Sequence, residues 1–170
     1  MYKLFSVLLT ASLALSAAAP AAADSVSSHL ATAQWLVGNY HCTNMSTLAG
    51  KAQKTTHSTF KVWRDGNWID YQDPKGDPHG MGRMTWNKNQ GKWVSVSTGT
   101  DGGYGVTLPT ITSTTMTFPA HSVTSDMPDD ANYSGSVTKT SAGFIFQAAG
   151  TNASGKNKGK AYTSKSVCTR

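Results

Sequence analysis

The groups in this chain best suited to chemistry are five histidines, nine carboxylates and two cysteines, and their spacing assembles no standard site. None of His29, His41, His57, His79 and His121 has a second metal ligand at helix or strand spacing. His79 comes nearest, in Asp73-Pro-Lys-Gly-Asp77-Pro-His79-Gly80. Those aspartates could gather over the mouth of a barrel, but the same residues make an ordinary solvated Pro/Gly turn. His57 alternates with Thr55 and Thr59 on the strand face opposite Phe60 and Val62, the pattern of a surface histidine. Asp126, Asp129 and Asp130 cluster without calcium-loop spacing. No Gly-x-Ser-x-Gly elbow supports a nucleophilic serine, and the glycines around Gly102, Gly103 and Gly105 lack the lysine and helix of a phosphate cradle. No catalytic residue and no metal ligand is assigned.

Asp70 is the more informative carboxylate. It lies between Ile69 and Tyr71, on the same strand face as Trp68 and Gln72. Facing inward it would need a partner such as Arg83; facing outward it would simply be solvated. Around it stands an aromatic set, Trp63, Trp68, Trp86 and Trp93 with Tyr40, Tyr71, Phe144 and Phe146, drawn from successive strand segments. Such rings either fill a small barrel or wall a ligand pocket. The candidate interior is Tyr40, Trp68, Asp70, Arg83, Trp86 and Trp93.

Positioning these groups falls almost entirely to strands. The one helix is short, about Ser27 to Leu36, with Leu30 and Ala33 at helical spacing and Gly38 as a stop. Thr56 to Trp63 and Asn67 to Gln72 flank Asp65-Gly66 as a hairpin, and Met81 to Trp86 and Trp93 to Ser97 flank Asn87 to Gly91 as a second. Val106 to Leu108, Ile111 to Phe118, Asn132 to Thr140, Gly143 to Ala149 and Lys160 to Cys168 follow, with Pro119 to Asp130 as a loop. All nine carboxylates are aspartates, which favour turns over helix faces.

The first 23 residues read as an export signal: Lys3, an apolar run from Leu4 to Leu15, then small residues to Ala23. The mature domain would be residues 24–170, periplasmic or extracellular, with no membrane insertion. In such a compartment Cys42 and Cys168 are expected to bond to each other. A bond from the first strand to the last, in a chain running hairpin to hairpin, favours an all-β, antiparallel up-and-down β-barrel of about eight to ten strands with a short N-terminal helix. The formal charge is +6, much of it from Lys156, Lys158, Lys160 and Lys165. These lie in a Gly/Asn/Ser-rich run with no recognition helix, so nucleic acid is not an expected partner.

The run Trp35-Leu-Val-Gly38-Asn-Tyr40-His-Cys42 resembles the opening of lipocalin-like, or calycin-like, barrels, where a Gly-x-Trp signature follows a short helix. The resemblance is to small secreted bacterial domains, and more distantly to nitrobindin-type barrels. Here Tyr40 stands where the signature has Trp, and His41-Cys42 replaces the second glycine pair of the nitrobindin opening. No histidine aligns with a haem ligand; no cofactor is required, and haem is the one option the resemblance raises. The function implied is non-catalytic binding of a small apolar or amphipathic molecule. The alternatives are an enzyme using Asp70 or His57 inside the barrel, or an inhibitor-like barrel presenting its loops to a protein. The oligomeric state is left open.

Overall fold

A computed structural model describes residues 25–49, 51–72, 81–98, 104–118, 123–125, 131–152 and 157–170. The export signal, the His79 loop, His121, Gly102, Gly103 and the Asp126–Asp130 cluster lie outside the described residues. Helix α1 (Val26–Thr32) starts at Ser25, whose hydroxyl accepts from the Ser28 amide at 3.2 Å, satisfying a donor the first turn cannot. A 3-10 turn (Gln34–Leu36) follows, so the single expected helix is split at Ala33.

The remaining elements are strands: β1 (Gly38–Leu48), β2 (Lys54–Asp65), β3 (Trp68–Gln72), β4 (Met81–Asn87), β5 (Lys92–Thr98), β6 (Tyr104–Thr107), β7 (Thr110–Ile111), β8 (Thr115–Phe118), β9 (Val123–Ser125), β10 (Ala131–Lys139), β11 (Gly143–Asn152) and β12 (Ala161–Thr169). They form one curled antiparallel sheet in the order β7-β8-β10-β11-β12-β1-β2-β3-β4-β5-β6-β9. The expected all-β antiparallel architecture, short helix and disulfide are therefore present.

Strand number differs from the expected eight to ten, because the region after β6 breaks into short pieces. The run from Ile111 to Phe118 is cut by a turn in which the Thr112 hydroxyl accepts from the Thr114 and Thr115 amides, a side-chain bond that competes with the ladder. Val123–Ser125, expected as loop, pairs with β6. The hydrogen-bonded order ends at β7 and β9, with no ladder between them among the described residues. Turn chemistry sets the regular part. Gly66 and Gly91 adopt φ of 56° and 59°, a region glycine enters without steric cost, and the Asn87 side chain accepts from the Asn89 and Gln90 amides.

Cys42 faces Cys168 in the β1–β12 ladder, with Cα atoms 4.1 Å apart and sulfurs bonded. The first and last strands are thus adjacent, and the bond fits an oxidising, non-cytoplasmic compartment. The clasp does not sit at an edge. It joins the middle of the sheet, with β2 to β6 on one side and β11, β10 and β8 on the other.

Candidate binding cavity

The register decides which side chains look inward. Gly66 and Asn67 form the β2–β3 turn, so Asp65 faces Trp68 and Val62 faces Tyr71. Val62, Ile69 and Met84 are buried on one face, and alternation places Phe60, Tyr71, Gly82, Trp86, Trp93 and Ser95 with them. Tyr40, Cys42, Cys168 and Phe144 share that face.

Trp68, Asp70 and Arg83 therefore lie on the outer face, correcting their expected place in the interior. The two alternatives for Asp70 are also replaced by a third. It points outward yet is only 7% exposed, because Arg83 closes over it with two hydrogen bonds, Nε–Oδ1 at 3.1 Å and Nη2–Oδ2 at 3.0 Å. The guanidinium also lies 5.0 Å from the Trp68 ring centroid and 3.7 Å from Asp65. The Asp70 hydrogen bonds raise the Arg83 pKa above its ordinary value, and the pair clips β3 to β4 on the outer face. His57 is exposed on the same outer side, 3.4 Å from the Thr43 hydroxyl.

Tyr40, Trp86 and Trp93 do face inward, but as a floor rather than a wall. Trp86 stacks on His29 of α1 at 3.5 Å and meets Trp93 edge-on at 6.1 Å, so the helix plugs the end of the curl over β4. The Trp86 indole N–H is buried without a hydrogen-bond partner. Tyr40 is 2% exposed. Its hydroxyl donates to the Leu36 carbonyl at 3.0 Å, and Arg170 donates both to that hydroxyl and to the Trp35 and Val37 carbonyls. Gly38 permits this arrangement, since a Cβ there would stand 3.1 Å from the Tyr40 ring and 3.0 Å from Arg170 Nε. Trp35 completes the floor, donating from its indole to the Thr112 carbonyl at 2.9 Å.

Above the floor is a cavity of about 390 Å³. Phe60, Phe118, Phe144, Phe146, Met84 and Met116 supply apolar wall, and the disulfide forms part of it. Polar groups enter at two places: Tyr71, Ser95, Ser97 and Thr107 from β3, β5 and β6, and Asn44, Ser58 and Ser166 from β1, β2 and β12. The Tyr71 hydroxyl lies 3.1 Å from the Ser95 hydroxyl, and the Asn44 amide donates to the Ser58 hydroxyl at 3.0 Å. The two cysteines and, from the aromatic set, Tyr71, Phe144 and Phe146 are in this lining; none of the six interior candidates is, and its serines and threonine carried no sequence signal. β5 shows why: Ser95 and Ser97 point inward while Val94 and Val96 point out, the reverse of the usual polarity.

A second hollow of about 570 Å³ runs beside Met45, Gln147, Thr163 and Lys165, and most of its lining residues are Ser, Thr or Gln. The interior cavity is the stronger site, because a small-molecule pocket combines apolar walls with a few convergent polar groups. Among the described residues no three His, Cys or Asp side chains gather as a metal site, and no helix is long and apolar enough to cross a membrane.

Removal from water pushes the Tyr71 phenol above its ordinary pKa of 10.0, against the opposing effect of hydrogen bonds from Ser95 and Ser97. The unfolded chain ionises this group first as pH rises, so its contribution to stability is complete below pH 10 and is lost above it. In urea unfolding from about pH 9 to about pH 11, Tyr71→Phe should therefore lose stability less steeply than the parent. Parallel slopes would contradict the burial of this phenol.

The curled antiparallel sheet, the helix at its end and the cavity within are consistent with a calycin-like barrel. Scans against protein-family models and against curated proteins find no match for this chain.

Proposed function

We propose that this protein is an exported carrier or sensor that binds a small apolar or amphipathic molecule inside the curled sheet without transforming it, as a lipocalin-like barrel does. The observation that supports this reading most is the cavity itself. Its walls are rings and methionines, its polar groups include the bonded pairs Tyr71–Ser95 and Asn44–Ser58, and its volume of about 390 Å³ lies toward the lower end of the roughly 300–1,000 Å³ typical of small-molecule pockets. Asp70 and His57, on which the enzymatic alternative rested, stand on the opposite side of the sheet. The export signal and the disulfide support a place outside the cytoplasm.

N-phenyl-naphthylamine, a neutral fluorescent probe, tests the reading. Saturable one-to-one binding is expected, and Ser166→Met, which fills the cavity from β12, should weaken it by about tenfold or more. The variant's thermal midpoint shows that the fold is retained. A probe that fails to saturate, or that binds the variant equally well, would sink the proposal.

A further inference from the structure

Resting on that reading, we infer that the cavity selects uncharged molecules carrying a hydrogen-bonding group, and that the Tyr71–Ser95 hydroxyl pair is the contact that recognises it. Three observations carry this. The first is where the chain's charge resides. No Asp, Lys, Arg or His belongs to the cavity lining among the described residues, although the formal charge is +6. Lys61, Arg83 and Lys165 alternate with inward residues in their ladders and so lie on the other face. A carboxylate or ammonium placed inside would leave water without a counter-ion, which a buried charge tolerates poorly.

The second observation is that the phenol lies against the neighbouring strand at a glycine. Gly82 faces Tyr71 across β3 and β4, and a Cβ at Gly82 would fall 2.4 Å from both the ring carbon and the hydroxyl of Tyr71. The ring thus lies over a strand position that only glycine can vacate. The third is spare hydrogen-bonding capacity. Ser95 is 4% exposed, and the three hydroxyls of Tyr71, Ser95 and Ser97, joined by two bonds at the phenol, keep one hydrogen and free lone pairs between them. They can therefore donate to a ligand carbonyl or ether, or accept from a ligand hydroxyl, without leaving a buried group unpaired. Asn44 and Ser58, bonded to each other on β1 and β2, offer a second polar contact on the strands that precede β3 in the sheet.

Three anthracenes substituted at the central ring separate the possibilities, because they share one skeleton: the hydroxymethyl, methyl and carboxylate derivatives. Binding is followed by intrinsic anthracene fluorescence on the full exported protein. Hydroxymethylanthracene should bind about three- to tenfold more tightly than methylanthracene, the usual range for one net hydrogen bond. The carboxylate should be weaker than the hydroxymethyl compound by about tenfold or more and should not displace it at equal concentration. Tyr71→Phe and Ser95→Ala should each bring the hydroxymethyl and methyl affinities together while leaving the methyl compound bound. The second variant keeps the test decisive if the first disturbs folding. Equal affinity of hydroxymethyl and methyl compounds for the parent overturns the inference and leaves the binding reading intact. So does displacement by the carboxylate at comparable concentration. Failure of both neutral compounds to bind overturns both.

Discussion

Replacing Cys42 and Cys168 by alanine should lower unfolding stability by about 3–5 kcal/mol while leaving the sheet assembled at low temperature. The bridged residues are 126 apart in sequence, and closing so long a loop is worth about 5 kcal/mol on the chain-entropy model. For a domain whose total stability is roughly 5–15 kcal/mol, that is a large fraction. The expectation of an assembled sheet rests on the ladder around the bond. β1 and β12 pair from His41–Thr169 to Leu48–Tyr162, and β1 and β12 are each also paired to their other neighbours, β2 and β11. Most other neighbouring strands are close in sequence and can pair without the clasp, whereas β1 and β12 meet only after the whole chain is ordered. Refolding of the double variant should accordingly be slower as well as less complete, since long-range pairing is delayed by the entropy of closing the chain. Urea unfolding followed by tryptophan fluorescence, with the parent measured in both oxidised and reduced forms, gives the comparison. A midpoint within error of the parent would show that the ladder alone holds the two halves together.

The sheet was legible because strand and turn chemistry is local. Gly66 and Gly91 mark hairpins that form where expected, and the cysteine pair identifies the terminal strands as neighbours. Inward orientation was legible only in part. β3, with Trp68-Ile-Asp-Tyr-Gln72, has an aromatic on each face, so its pattern alone does not say which side is buried. The two-residue turn does carry that information. Once Gly66 and Asn67 form the loop, Tyr71 faces Val62 and Ile69 faces Arg64, and an inward Val62 forces Trp68 and Asp70 outward.

The cavity's polar groups were hidden for a different reason. In β5 and β12 the interior face carries Ser95, Ser97, Ser164 and Ser166, while Val94, Val96 and Val167 face outward. Hydrophobic alternation reads such strands the wrong way round, because it assumes that burial follows polarity. Where a sheet encloses a polar contact for something other than itself, that assumption fails, and the failure coincides here with the candidate site. Arg170 has no pattern around it in the sequence; its role appears only where it meets Trp35, Val37 and Tyr40 beside the first strand.

That meeting point gives the second large effect. Tyr40→Ala should cost about 3–5 kcal/mol, the range for deleting a buried aromatic side chain, whereas Tyr40→Phe should cost about 1 kcal/mol. The ring meets Phe144 at 4.7 Å and Arg170 stands 5.4 Å from its centroid, so both contacts go with the ring and only the hydroxyl's bonds go with the oxygen. Arg170→Met separates the two contributions. It keeps apolar volume over the ring but removes the donors to the Trp35 and Val37 carbonyls, so it should cost more than Tyr40→Phe. Arg170 also donates to the Tyr40 hydroxyl at 3.1 Å, and removing both partners should cost less than the sum of the single changes, by about 0.5 kcal/mol or more. Simple additivity would mean that β1 and the chain terminus stabilise the floor independently. Coupling would mean that Gly38, Tyr40 and Arg170 act as one closure, with the small glycine serving to let ring and guanidinium approach the same stretch of backbone. Because this closure forms the floor beneath the cavity, Tyr40→Ala should also weaken N-phenyl-naphthylamine binding, and Tyr40→Phe should leave it nearly unchanged.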